Sequence, residues 1–368
     1  MTNGQQPLEG RALARGVARM FAAAGIPASA AAVAAEDLVA ADLEGVPSHG
    51  VMLVPMYLQR IRQGSVSCEE AGEVVSDRQG AIVIDGHNVL GQLTARQAVD
   101  LAASRAADLG IAAVAVRNAF HFGTAGRYAR MLADRGCIGI VMCNTRPLMP
   151  PPGGAQPVTG NNPIAIAAPS AGPFASEVDM ALSAAAMGKI RNAAAAGQSI
   201  PPGWATDSEG APTTDPNAAI AGMLLPAAGP KGFGLACMID LLCGGLSDGG
   251  IGSEVRPLFG MLDQPYGSAN LFIALNVGHF TRSETFAGRA AAAAEAVSSA
   301  RRAPGFDRIF APGEMAHCAR ESAGGWCHLA APTLAALRQE AALLGLDPAD
   351  LFTPRSSAGF DPARPEGI

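Results

Sequence analysis

Residues 111–126 read IAAVAVRNAFHFGTAG, a short apolar run followed by a glycine-bearing turn. The run 111–116 has the length and composition of a strand. The turn that follows, His121, Phe122, Gly123, Thr124, Ala125 and Gly126, opens into a helical pattern over 126–135. A strand passing through glycines into a helix is where a Rossmann domain places GxGxxG, with the pyrophosphate on the helix start. Here the spacing is absent, and although the chain holds 44 glycines no position satisfies the motif. The expected fold is therefore α/β, in the α+β sense, and not of the Rossmann kind.

Outward from this unit, apolar runs at 81–84, 138–143, 163–168, 178–182 and 271–275 predict further strands, and 93–109, 184–196, 232–246 and 286–302 predict helices between them. Upstream the texture is helical. Leu13, Val17, Met20 and Phe21 share a face, and Gly25 and Pro27 stop that helix. Ser29 is the expected cap of the next, which runs to Leu43. Ser48 is the expected cap of a third, bearing Val51, Val54, Leu58 and Ile61, bent at Pro55 and ending near Gly64. Past Gly313 the chain returns to helix, notably over 333–344. These patterns predict a helical unit from 1–74 and 315–368 and a central sheet-containing domain over 75–314.

With 49% hydrophobic and 16% charged residues, the 368-residue chain has ample material for a core. The net charge of -6 leaves no basic surplus for phosphates, which argues against nucleic acid as a partner. The first residues lack a secretory pattern, and the uncharged stretch 147–176 contains eight prolines, which forbid a membrane-spanning helix. A cytoplasmic location is expected. Cys68, Cys137, Cys143, Cys237, Cys243, Cys318 and Cys327 form no CxxC pair, so no metal site is expected. Cys137, Cys143, Cys237 and Cys243 lie in apolar runs, where cysteine acts as a small hydrophobe.

Several constellations can carry chemistry. Ser48, His49 and Gly50 stand at an expected helix start, where a histidine titrating near neutrality can give a proton to a carbonyl and recover it in reverse. Ser48 caps the helix, orients His49, or does both. The turn from His121 to Gly126 lets amides approach a ligand, and its helix start can hold a phosphate; it also reads as an ordinary strand-to-helix turn. Gly160, Asn161, Asn162 and Pro163 build a turn or read a polar ligand. Asp179 stands in the apolar strand Val178, Met180, Ala181, Leu182 and Ser183, where a buried acid needs a partner or a task. Lys231, before Gly232, is the one cation between Arg191 and Arg256, fit to neutralise an anion or to sit solvated in a loop. Pro312, Gly313 and Glu314 offer a carboxylate after a turn, which can bond ribose hydroxyls or stand as an exposed acid.

These motifs, in this order from about Arg11 to Gly345, resemble the type-2 malate/L-lactate dehydrogenase family, which also contains ureidoglycolate and sulfolactate dehydrogenases and a reductase of piperideine and pyrroline carboxylates. The resemblance implies NAD or NADP chemistry in a non-Rossmann homodimer, with the sheet-containing domain binding the cofactor. It makes His49 the catalytic acid/base with Ser48 beside it. The cofactor contacts it implies are His121, Phe122, Gly123, Thr124, Ala125, Asp179, Met180, Ala181, Ser183, Lys231, Gly232, Gly313, Glu314 and Met315. Many members carry arginine where this chain has Leu53 and Glu44. Substrate contacts are therefore expected from Leu53, Arg146 and Asn162, with Arg146 as the alternative carboxylate anchor. The expected reaction is reduction of a 2-oxo acid with an apolar or aryl tail. The alternatives are reduction of a cyclic imine and a non-catalytic cofactor-binding relative.

Overall fold

The computed structural model describes residues 7–352. Seven strands form its central sheet, in the spatial order Glu73–Arg78, Ala81–Asp85, Ile111–Ala119, Ser268–Asn276, Cys137–Cys143, Ile164–Ala168 and Ser176–Met180. Within it the pair Ala81–Asp85 and Ile111–Ala119 is parallel and the other pairs are antiparallel. A doubly wound dinucleotide fold needs a mostly parallel sheet, so pairing now states what the missing glycine motif implied.

Strand alternation sorts side chains onto two faces. Val114, Val116, Phe272 and Ala274 pack beneath the helices Gly91–Leu109 and Ala125–Ala133. On the other face Ala115, Met142, Ala269 and Leu271 meet Ala236, Ile239 and Cys243, from the helix Pro230–Asp240 and the π-turn Leu241–Gly245 that prolongs it. A third core joins Gly10–Ala23, Ala28–Leu43 and Val54–Arg62 to Ala331–Leu343 and Pro348–Phe352, burying Phe21, Leu38, Tyr57, Leu337 and Phe352 together. At about 1.5–3 kcal/mol per large apolar side chain, this burial ties the two ends of the described chain to each other.

Four local readings change. Pro27, not Ser29, precedes Ala28–Leu43, and the Ser29 hydroxyl points to Glu70 at 3.4 Å. Ser48 caps no α-helix: Pro47–His49 and Val51–Leu53 are separate 3-10 turns, broken by the extended backbone of Gly50, and the α-helix starts at Val54. Pro55 thus falls in a first turn, where its missing N–H costs nothing and bends nothing. The strand expected at 178–182 lies at Ser176–Met180. The edge strand Glu73–Arg78 and the small sheet of Met223–Leu224, Ala205–Thr206 and Pro212–Thr213 were not expected. The cysteines are free, Cys137, Cys143 and Cys243 buried and Cys237 half-buried. No helix among the described residues is long and apolar enough to cross a membrane.

Candidate active site

A cleft of about 760 Å³ opens where the turn bearing His49 faces the ends of the central strands, the edge strand Ser176–Met180 and the segment 310–316. Its lining includes His49, His121, Phe122, Gly123, Thr124, Ala125, Asp179, Met180, Ala181, Gly313 and Met315.

His49 is held by its own turn. Asp42, on the helix Ala28–Leu43, accepts a hydrogen bond from the Val51 amide at 2.7 Å. That places its carboxylate against Gly50, where a Cβ would lie 2.2 Å from Oδ2. Glycine therefore follows His49 because a side chain would displace the carboxylate that pins the loop. Burial pushes the Asp42 carboxyl up to about 6 and holds the His49 imidazole below its ordinary value. The Ser48 hydroxyl lies 3.0 Å from His49 Nδ1. A hydroxyl both donates and accepts, so it serves that nitrogen in the neutral ring and in the imidazolium alike.

His121 stacks on His49, with centroids 5.5 Å apart and planes 27° apart. Its Nδ1 lies 2.7 Å from the hydroxyl of fully buried Tyr57, which also reaches the His121 carbonyl at 3.0 Å and accepts from Gln92 Nε2 at 3.2 Å. Burial, reinforced by the neighbouring His49, lowers the His121 imidazole to about 3. His121 therefore stays neutral and does not compete for the proton that His49 carries.

The far end of the cleft is acidic but largely compensated. Arg130 binds Glu177 at 2.6 and 2.8 Å and Glu44 at 2.5 Å, and Arg320 approaches Glu44 at 3.5 Å. Asp179 accepts from the Gly126 amide at 2.8 Å, so the start of helix Ala125–Ala133 already carries a carboxylate. The Gly126 amide at that helix start is thus taken by a carboxylate of the protein. Asp179 is open to the cleft rather than buried in a strand, yet protein crowds it closely enough to push its carboxyl up to about 6.

Other expected residues lie elsewhere. Leu53 is buried in the helical core and does not face the cleft. Asn162 is fully buried and spends its amide inside the protein, accepting from the Thr145 amide and donating to Thr159 and the Ala236 carbonyl. Ser183 bonds the Ala185 carbonyl. Glu314 accepts from the Ala311 amide and pairs with Arg308, so its carboxylate is spent on the turn that precedes its helix. Lys231 and Gly232 begin the helix Pro230–Asp240 outside the cleft lining, with Lys231 exposed. Arg146 is exposed and also outside the lining, near enough to act on Tyr266. The sequence reading passed over Tyr57, Gln92, Asp42, Arg130, Glu177 and Tyr266. Asp42, six residues before Ser48 and on the helix that precedes it, is the one whose position was suggestive.

The chemistry of this lining fits a nicotinamide dinucleotide. The volume lies within the usual range for cofactor sites, Phe122, Met180, Phe310 and Met315 offer apolar surface to flat rings, and carboxylates stand where ribose hydroxyls can donate. Among the described residues of the lining, Arg130 is the one arginine or lysine, and it is taken by two glutamates.

Residues 9–337 match the malate/L-lactate dehydrogenase family. The malate dehydrogenase of Pyrococcus abyssi is 36% identical over 315 residues, 83% of this chain and 86% of the relative. The ureidoglycolate dehydrogenase (NAD(+)) of Escherichia coli is 36% identical over 291 residues, 79% of this chain and 83% of the relative. The (2R)-3-sulfolactate dehydrogenase (NADP(+)) of Chromohalobacter salexigens is 38% identical over 264 residues, 70% and 78% of the two chains. Among solved structures, the sulfolactate dehydrogenase from Methanocaldococcus jannaschii superposes with a TM-score of 0.89 at 32% identity, covering 94% of this chain and 99% of that one. The delta1-piperideine-2-carboxylate reductase from Pseudomonas syringae does so with a TM-score of 0.81 at 28% identity, covering 91% and 99%. With its fold and nearly its whole length in agreement, the chain belongs to the malate/L-lactate dehydrogenase family, as an NAD(P)-dependent dehydrogenase.

Proposed function

We propose that the enzyme interconverts a 2-oxo acid and its 2-hydroxy acid, with His49 as the proton donor in reduction and the acceptor in oxidation. The observation that carries this is the His49 ring in the cleft, bonded at Nδ1 by Ser48 and stacked on His121. A nicotinamide bound in the cleft would supply or receive the hydride at the substrate carbon. His49 meets the oxygen of that carbon, Ser48 holds the imidazole through its change of charge, and Tyr57 fixes His121 as the wall behind it. The apolar residues Phe122, Met180, Phe310 and Met315 and the carboxylate of Asp179 are proposed to hold the cofactor.

The substrate tail is proposed to be apolar. Val46, Cys143 and Tyr266 share the cleft with His49, and no free arginine or lysine of the described lining awaits a second carboxylate. Leu53, in the core, no longer bears on this. Reduction of a cyclic imine carboxylate is the second reading, supported by the likeness to the piperideine-carboxylate reductase. A kcat/KM panel with NADH and NADPH separates these: branched or aromatic 2-oxo acids should exceed oxaloacetate by about tenfold or more. Faster turnover of oxaloacetate would contradict the apolar tail, and turnover of cyclic imines alone would favour the second reading.

The working species is proposed to be a homodimer. Leu235, Met238, Leu241 and Leu246 stand exposed along the helix and π-turn that Lys231 begins. Pairing through that side would supply a cation to the partner's cleft, which the described lining of one chain does not offer free.

A further inference from the structure

One short helix sets the wall of the cleft beside His49. Val54–Arg62 carries Tyr57 and Arg60 three residues apart, both fully buried. Tyr57 holds His121. Arg60 gives its donors to a segment some two hundred residues away: Nη2 to the carbonyls of Pro257 (2.9 Å) and Leu258 (3.0 Å), Nη1 to that of Gln264 (2.8 Å), with Ser65 bonding the Leu262 carbonyl at 2.5 Å alongside. Phe120 fills the space between. It meets Tyr57 edge-on at 4.8 Å and Tyr266 edge-on at 6.0 Å, with the Arg60 guanidinium 5.8 Å from its centroid. The segment held in this way delivers Tyr266, 6% exposed, to the cleft that contains His49.

The polar groups near Tyr266 are largely engaged within the protein. Asn144 accepts from the Ala269 amide and donates to the Gly250 carbonyl, Thr145 donates to Asn161, and Ser268 donates to the Ala119 carbonyl. The Tyr266 hydroxyl makes no hydrogen bond among the described residues. With no protein acceptor and the residue lining the cleft, that hydroxyl is free to donate to a ligand there.

We propose that the Tyr266 hydroxyl donates a hydrogen bond to the carboxylate of the 2-oxo acid, making Tyr266 a substrate-contacting, specificity-determining residue. This rests on the functional reading above. Burial pushes the Tyr266 hydroxyl up, Cys143 adds to that, and Arg146 and Arg60 oppose it, so it remains a neutral donor at working pH. Arg146 supplies positive charge on the same side.

The test is Tyr266→Phe, which keeps the ring against Phe120 and deletes only the hydroxyl. Steady-state kinetics are measured with the best 2-oxo acid and its methyl ester, and NAD(P)H affinity by fluorescence titration. The KM of the acid should rise about ten- to a hundredfold, with kcat within about threefold, cofactor affinity unchanged and the preference for acid over ester reduced by the same factor. The melting temperature should not fall, since the hydroxyl has no protein partner to lose. An unchanged KM, or equal losses for acid and ester, overturns the assignment. Absence of wild-type turnover with every 2-oxo acid overturns the functional reading and this assignment with it. Normal wild-type turnover beside an unaltered variant overturns the assignment alone.

Discussion

At the scale of single residues, the two histidines share a cleft and differ in what surrounds them. His121 is enclosed and tied to Tyr57, and its imidazole is driven to about 3, so it is neutral throughout the working range. His49 is lowered by burial and keeps Ser48 at Nδ1. A lowered imidazole is the free base at neutral pH, which suits removal of a proton from a hydroxyl and makes donation to a carbonyl favour acid. Oxidation should therefore rise in kcat/KM as pH climbs through the depressed value, with the midpoint of the limb below about 6.5, the ordinary histidine value. Reduction should fall over the same window. Asp42 and Asp179, both pushed up to about 6, titrate nearby, so the profiles of Asp42→Asn and Asp179→Asn are the needed controls. An oxidation limb centred above 6.5 in all three proteins would contradict this placement of His49.

At the scale of elements, most of the sheet was readable because its central strands are uninterrupted apolar runs covered on both faces, as in Cys137–Cys143. Glu73–Arg78 was not readable: it is an exposed edge strand whose pairing with Ala81–Asp85 decides its conformation. The turn at Ser48 misled for a related reason. Serine before an apolar periodic segment is a fair cap signal, yet Asp42, nine residues before Val51, supplies the carboxylate that fixes this loop. In the cleft the residues that line it through local motifs, His49, His121 to Ala125 and Asp179 to Ala181, were visible as short strings. Tyr57, Arg60 and Tyr266 were not: Tyr57 acts on His121, 64 residues away, and Arg60 holds the segment bearing Tyr266 from about two hundred residues away, and no local spacing records such contacts.

At the scale of the molecule, the cleft forms where a helical core drawn from both ends of the described chain meets the sheet, so burial far from the chemistry holds His49 in register with the strand ends. The exposed stripe of Leu235, Met238, Leu241 and Leu246 is the surface proposed to meet a second copy. Sedimentation should show a dimer, and Leu241→Asp should shift it toward monomer while weakening NAD(P)H binding about tenfold or more, if Lys231 serves the partner's cleft. A monomeric wild type, or a monomeric variant with full cofactor affinity, would contradict that assembly. The central claim, that His49 moves the proton, is tested most directly by NAD(P)H oxidation with the best 2-oxo acid in His49→Ala. The prediction is a loss in kcat of about a hundredfold or more with cofactor affinity little changed; near-normal turnover would contradict the account and move the role to another group of the cleft.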